Sequence, residues 1–203
     1  MLEFAACLIL LLTGAQAQKS PEKVANKGLQ MQLQKMVDVD QDARNKLIAA
    51  MKDPKVAPID LIRQMEAIDR YNTGQMREIV RTYGWPTSKL VGRTGASNAW
   101  LLVQHADLAP KFQRECLDLM TPLLAQGEVD KRNYALLTDR VLLAEGKKQI
   151  YGSQFTRNAA GQWEPRPLED PANVDKRRAE MGLEPLAEYK KLIEQVYGTK
   201  PPR

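Results

Sequence analysis

The chain has 203 residues, of which 43% are hydrophobic, and it carries 30 lysines and arginines against 25 acidic residues. The net charge of +5 is a mild excess, and basic and acidic residues alternate along most of the chain, which is typical of solvated helix faces and argues against nucleic-acid binding. Of the two cysteines, Cys7 lies in the predicted signal peptide described below. Cys116 is then left without a partner for an internal disulfide, and we expect it to be a buried apolar residue. Stability must therefore come from core packing, for which this length is sufficient.

The N-terminus has the pattern of a secretory signal. An apolar run from Phe4 to Leu12 leads into Ala15-Gln16-Ala17, a small-x-small site that signal peptidase accepts, although Glu3 replaces the usual basic start. The run is shorter than the roughly 20 residues needed to cross a bilayer. We predict cleavage after Ala17, export to the periplasm or the medium, and no membrane span in the mature chain.

Helical periodicity begins after a polar leader, which we place at residues 18–27. Apolar residues recur at spacings of three, four and seven and predict an amphipathic helix, namely Leu29, Leu33, Met36, Leu47 and Met51. Asp40 falls inside this stripe. Asp53-Pro54 interrupts the pattern, Pro58-Ile59-Asp60 restarts it, and a further segment runs from about Thr73 to Tyr83, where Gly84-Trp85-Pro86 ends it.

The stretch from Ala96 to Leu108 has apolar residues in nearly every helical direction, which predicts a helix buried on most sides. The next helix, from Pro110 to about Gln126, has one apolar face that comprises Phe112, Cys116, Leu119, Met120 and Leu123. A third helix, from about Asp130 to Glu145, also looks central, and Gly146 ends it.

From Lys148 onward the pattern changes to a short β-hairpin, with Tyr151 and Phe155 in its first arm and Trp163 in its second. Two more helices follow, one closed by Gly182 and one amphipathic from about Leu186. The predicted fold is mainly α: a single helical domain of about six to eight helices over residues 28–198, with a small C-terminal β-hairpin and a tail at 199–203.

Several runs of residues resemble, in a consistent order, a bacterial family known as domain of unknown function 6624. The runs are Asp40–Arg44, Gly84–Pro86, Trp100–Asp107, Leu137–Leu142, Tyr151–Gln154 and Asp175–Arg178, and they cover about residues 30 to 190. The family is functionally uncharacterised, so the resemblance identifies residues to study and implies no chemistry.

No glycine-rich phosphate loop, metalloprotease motif, nucleophile elbow or zinc-type cysteine pair is present in the sequence, and we predict no metal or cofactor. The candidates are instead polar residues at positions where the pattern calls for apolar ones. Asp40 and Arg44 form an i,i+4 pair, while His105, the single histidine, and Arg140 interrupt the apolar surfaces of their helices.

Asn98 precedes His105 by seven residues and Asn133 precedes Arg140 by seven, so each pair projects from one side of its helix. We hypothesise that the two faces border one polar cleft, with a Tyr151–Gln154 strand as its wall. His105 is the candidate acid or base, Asp40 its orienting carboxylate and Arg140 an anion contact. The candidate ligand-binding residues are Arg44, Asn98, Gln104, Asn133, Tyr151 and Gln154.

Each candidate also has a purely structural interpretation. Asp40 and Arg44 can neutralise each other at a helix interface, His105 can be a hydrogen-bonded core residue, and Arg140 can tie two helices together. The Tyr151 ring can pack on its neighbours, and the side-chain amide of Gln154 can form hydrogen bonds with the backbone. The run Asp175–Arg178 is typical of a solvated face, although its two adjacent arginines could clamp an anion.

Two classes of function therefore remain open. We favour an exported ligand-binding or protein-interaction module, with a small molecule or a protein as its partner, because no catalytic motif is present. The alternative is a hydrolase or transferase that uses His105 as general acid or base, Arg140 as anion contact and water as the attacking group, since no nucleophile is evident. A structural carrier without a pocket is a third possibility.

Overall fold

A computed structural model describes residues 24–52 and 57–198. The predicted signal peptide, most of the polar leader and the predicted tail lie outside these residues. Within them the chain forms seven α-helices, one short 3-10 helix and a two-stranded antiparallel hairpin. The prediction of a mainly α fold with a small C-terminal hairpin is confirmed.

The described residues group into two compact units, which we call the N-terminal unit (residues 24–130) and the C-terminal unit (residues 131–198). Each has its own buried apolar residues. The assignment of residues 28–198 to a single domain stays a prediction. Within the described residues, no helix combines the length with the apolar character that a bilayer-spanning segment requires.

The N-terminal unit consists of four helices: α1 (Lys27–Lys52), α2 (Ile59–Tyr83), α3 (Ser88–Gln104) and α4 (Pro110–Leu124). Asn26 starts α1, because its side-chain Oδ1 accepts a hydrogen bond from the Leu29 main-chain N–H at 2.9 Å, as an N-cap residue does. Helix α1 packs against both α2 and α3. The two segments predicted around 58–60 and 73–83 are one continuous helix, α2, which ends where Gly84 takes a φ of 69°.

Helix α3 changes direction at Gly92, where φ is 71° and ψ is 167°, a conformation that a side chain disfavours. Every residue from Asn98 to Gln104 is buried, so the predicted burial on most sides is confirmed. The helix ends at Gln104, however, and the chain turns there. Leu108 is consequently 56% exposed and lies outside the helix to which we assigned it. Leu119 is also exposed, since the buried face of α4 includes Leu117 instead.

The C-terminal unit contains α5 (Lys131–Ala144), β1 (Phe155–Arg157), β2 (Trp163–Pro165), the 3-10 turn Pro171–Asn173, α6 (Val174–Glu180) and α7 (Leu186–Tyr197). The strands pair with Thr156 opposite Glu164. Two strands alone are marginally stable, and here Phe155 and Trp163 pack with Tyr189 and Ile193 of α7 in one apolar cluster.

Candidate functional site

Three side chains of the N-terminal unit, Asp40, Asp69 and His105, meet around the guanidinium of Arg44, and we call these four residues the Arg44 cluster. Arg44 Nη2 donates to Asp69 Oδ1 at 2.6 Å, and Arg44 Nε lies 3.3 Å from Asp40 Oδ2. The Asp40 carboxylate lies 2.8 Å from His105 Nδ1. The structure therefore brings together three of the residues that the sequence singled out and adds Asp69.

Three helices contribute to the cluster, and their packing explains it. Asp40 and Arg44 lie one turn apart on α1, so both project from the same side. Asp69 comes from α2, and His105 directly follows the last residue of α3. Because α1 packs against both other helices, its Asp40–Arg44 pair meets a carboxyl group on one side and an imidazole on the other.

The two carboxyl groups differ in their protonation. Burial by itself raises the pKa of Asp40, but the hydrogen bond and charge of His105, together with the charge of Arg44, lower it below the ordinary value. Burial raises the pKa of Asp69 to about 6, and the attraction of Arg44 offsets this only in part. One carboxyl is thus held ionised while its neighbour titrates near neutral pH, a combination common at sites of acid–base chemistry.

His105 Nδ1 has two neighbours of opposite kind. It lies 2.8 Å from Asp40 Oδ2, to which it can donate, and 2.9 Å from Arg44 Nε, from which it can accept. One nitrogen cannot do both at once, so the two contacts correspond to the two tautomers of the ring. When Nδ1–H donates to Asp40, the basic lone pair is on Nε2, as in a carboxylate-oriented general base.

Two further predicted residues of this unit lie along α3. Asn98 Nδ2 donates to Gln34 Oε1 at 2.9 Å and so ties α3 to α1. Gln104 is fully buried, and its main-chain carbonyl accepts from the side chain of Gln113 at 3.3 Å. The Gln113 contact lies at the end of α3, immediately before His105.

In the C-terminal unit the central polar residue is Asp139, which lies in the run Leu137–Leu142 but was not among the predicted site residues. Its Oδ1 accepts hydrogen bonds from the main-chain N–H groups of Ile150 and Tyr151 at 2.7 and 2.9 Å, and its Oδ2 accepts from that of Ser153 at 2.8 Å. Burial raises its pKa, and these bonds act in the opposite direction. Asp139 therefore holds residues 150–153 as an irregular loop, and the strand that we placed at Tyr151–Gln154 is wrong.

Arg178 reinforces this loop from the other side. It is fully buried, and it donates to the main-chain carbonyls of Tyr151 and Glu184 at 2.8 and 2.6 Å. Its guanidinium lies over the ring of Tyr189, 5.0 Å from the centroid. The expectation of a solvated face at Asp175–Arg178 is wrong at Arg178, because the main-chain carbonyls and an aromatic ring replace water around this cation.

The remaining predicted residues also belong to this unit. Gln154 exchanges hydrogen bonds with Gln149, whose Oε1 accepts from the Gln154 N–H at 2.9 Å. Asn133 and Arg140 both lie on α5, the latter buried. The hypothesis of one cleft combines residues of both units, and it stays a prediction.

A groove of about 870 Å³ lies between α1 and α2, and we call it the α1–α2 groove. Its apolar lining includes Met31, Met36, Val39, Ala67, Ile68 and Tyr71. Its polar lining residues are Gln32, Lys35, Gln64, Asn72 and Gln75. None of the site residues predicted from the sequence is part of this lining, so the groove is a second candidate site, separate in its residues from the Arg44 cluster.

Sequence signals for both sites existed and were weak. Met65, Asp69, Asn72 and Met76 recur at spacings of four, three and four, so a buried stripe on α2 was visible with two polar members. On α1, Met31, Lys35 and Val39 form a second mixed stripe beside the buried one. A helix with apolar residues on two faces is typical of one that contacts more than the core.

Among the described residues, no group of three or more histidine, cysteine, aspartate or glutamate side chains is arranged to hold a metal ion. A family model described as a family of unknown function, DUF6624, matches residues 27–201. No curated protein and no solved structure matches the chain.

Proposed function

The chain belongs to DUF6624, a family of unknown function, and from its geometry we propose that it is a ligand-binding protein whose site is the α1–α2 groove. The observation that carries this proposal is the groove itself. Its volume of about 870 Å³ falls within the range of roughly 300–1,000 Å³ that is usual for ligand pockets.

The character of the lining supports the same proposal. Met31, Val39 and Tyr71 are 60%, 55% and 66% exposed, although large apolar side chains gain free energy from burial. These three side chains share one concave surface with Met36 and Ile68. A grouped apolar surface of this kind is typical of a binding site, whereas singly scattered apolar residues are not.

The proposal is tested by a thermal-shift screen of the purified protein against metabolites, lipids and peptides, because a ligand that binds the native state raises its apparent stability. Ala67→Trp fills the groove from an exposed lining position and should abolish the shift. Ala49→Trp makes the same change at an exposed position of α1 outside the groove and should preserve it. Equal shifts in both variants would exclude the groove as the site.

We also propose that the protein is exported to the periplasm or the medium, where it meets ligands from outside the cell. The apolar run and the Ala15-Gln16-Ala17 site support it. Mass spectrometry of the extracellular and periplasmic fractions should find a mature chain that begins at Gln18. An intact chain from Met1 in the cytoplasm would contradict export.

A second candidate function is that of a hydrolase or transferase, and the Arg44 cluster favours it. A histidine beside an ionised Asp40 and a carboxyl group with a pKa of about 6 are groups able to move protons near neutral pH. In this proposal His105 is the acid or base, and Arg140 contacts the anion.

Turnover of a panel of nitrophenyl esters and phosphate esters tests this candidate. His105→Gln and Asp69→Asn should each remove any activity while helical content by circular dichroism stays unchanged. Lys46→Gln, an exposed substitution on α1, serves as the control. Full activity in His105→Gln would eliminate the enzyme proposal.

A further inference from the structure

We infer that the ligand of the α1–α2 groove is a single-chain amphiphile with an anionic head, of the fatty-carboxylate type. This inference rests on the proposed function, and it names the chemical class of the ligand. Three properties of the groove lead to it: the charge of its lining, the hydrogen-bonding state of Asn72 and the shape of its apolar walls.

The lining has one charged side chain, Lys35, and no acidic one. Lys35 is exposed on α1, and no carboxylate in the described parts of the chain forms an ion pair with it. An anionic group in the groove therefore gains the attraction of the ammonium without displacing an internal partner. The same ammonium would repel a cationic head.

Asn72 adds a polar group to the same groove. The residue lines the groove but is only 4% exposed, and its Nδ2 has no acceptor within hydrogen-bonding distance among the described residues. A buried amide donor without an acceptor destabilises the unliganded protein. A carboxylate oxygen provides an acceptor, and a carboxamide can rotate to present its donor to the groove.

The walls suit a flexible hydrocarbon chain. The lining residues on α1 extend from Gly28 to Val39, which corresponds to a length of about 16 Å at the rise of an α-helix. Met31 and Met36 are unbranched and adapt to irregular apolar shapes. Because the lining residues are spread over this length, an extended single chain can contact more of them than a compact ring system does.

The direct test is isothermal titration calorimetry of the purified protein with monomeric dodecanoate, dodecanol and dodecyltrimethylammonium. We expect dodecanoate to bind, dodecanol to bind at least about tenfold more weakly because it lacks the charged contact, and the cation not to bind. Ala67→Trp should abolish dodecanoate binding, and Ala49→Trp should leave it unchanged.

Two substitutions test the polar contacts. Lys35→Gln should weaken dodecanoate roughly tenfold and leave dodecanol unaffected, whereas Lys111→Gln removes the same charge from an exposed position of α4 and should change neither. Asn72→Leu should weaken dodecanoate and at the same time raise the thermal midpoint of the unliganded protein, because it removes a buried donor that has no acceptor. A residue with a merely structural role would not give this opposite pair of effects.

The outcomes separate the two proposals. Equal affinity for dodecanoate and dodecanol, or tighter binding of the cation, would overturn the anionic head while the groove remains the binding site. Binding of anionic phosphatidylglycerol vesicles without binding of monomeric dodecanoate would also overturn the inference, because the recognised object would then be a membrane surface. The proposed function itself would be refuted by two results together: none of the three dodecyl compounds binds, and Ala67→Trp keeps every thermal shift found in the metabolite screen.

Discussion

Asp69 is a carboxyl group whose protonation is linked to folding. Its side chain is 11% exposed, and burial raises its pKa from 3.8 to about 6 in the folded protein, although Arg44 Nη2 donates to it. Between these two values the folded state binds more protons than the unfolded state. The stability that Asp69 contributes is therefore fully present below about pH 4 and is lost as the pH rises through about 6.

We expect Asp69→Asn to remove this pH dependence. The difference in the free energy of unfolding between the wild-type protein and Asp69→Asn should fall by about 1–3 kcal/mol from pH 4 to pH 7, because each unit of pKa shift corresponds to about 1.4 kcal/mol. Urea unfolding at intervals of pH measures it.

Asp40 supplies a contrast of opposite sign. Its pKa is lowered, so the stability it contributes is present above its unfolded pKa and is lost as the pH falls through its folded pKa. Asp40→Asn should thus lower the free energy of unfolding most at neutral pH and least in acid.

For Asp69, parallel pH profiles of the wild-type protein and Asp69→Asn would contradict the assignment of the raised pKa to this residue.

Among the elements, α3 has the deepest burial, and it carries a stability prediction. Leu102 is 1% exposed at its centre. Leu102→Ala should lower the free energy of unfolding by about 2–5 kcal/mol through lost burial and a residual cavity. Leu108→Ala deletes the same atoms at a residue that is largely exposed just beyond the helix, and it should change stability by less than about 0.5 kcal/mol. Denaturant unfolding of both variants measures these changes. Similar decreases in the free energy of unfolding for the two variants would contradict the deep burial of α3.

Two glycines in helices predict effects of opposite sign. A Cβ at Gly95 of α3 would lie 2.7 Å from the Cβ of Val91, which is held by the bend at Gly92, so Gly95→Ala should destabilise by about 1–3 kcal/mol. A Cβ at Gly74 of α2 meets no atom within 4 Å, and Gly74→Ala should stabilise by about 0.5–1 kcal/mol because alanine has the higher helix propensity. Thermal unfolding of the two variants measures both changes in stability. A Gly95→Ala protein more stable than the wild type would show that Val91 moves away from the added methyl group.

At the scale of the whole molecule, the single-cleft hypothesis predicts energetic coupling between His105 and Arg140. If His105 and Arg140 belong to one polar network, His105→Gln and Arg140→Gln should be non-additive by roughly 0.5–3 kcal/mol, whereas distant residues add. The cycle is measured by urea unfolding of the wild-type protein, the two single variants and the double variant. The pair His105→Gln and Asp40→Asn is the positive control, because Nδ1 and the carboxylate are 2.8 Å apart. Additivity for the first pair together with coupling in the control would refute the single cleft.

From the sequence alone we predicted the mainly helical class, a helix from Ala96 to Leu108 that is buried on most sides, the ends of helices near Gly84 and Gly146, and the family, whose model matches residues 27–201. The helical class, the buried helix and the helix ends follow from periodicity and local backbone preferences, which act within a few residues along the chain, whereas the family follows from the resemblance of several runs of residues. Asp40 and Arg44 were also recognisable, since an i,i+4 pair is a local pattern.

Which polar residues meet depends on how the helices pack against one another. Asp69 lies in one stripe of α2 with Met65 and Met76, but the stripe does not show its partner, and Asp69 becomes part of a site because α1 brings Arg44 against it. Asp139 and Arg178 look like solvated charges, yet one accepts from the main chain of residues 150–153 and the other donates to the Tyr151 carbonyl. Burial, hydrogen-bond partners and pKa depend on groups that are distant in sequence, and periodicity along a single helix contains no information about them.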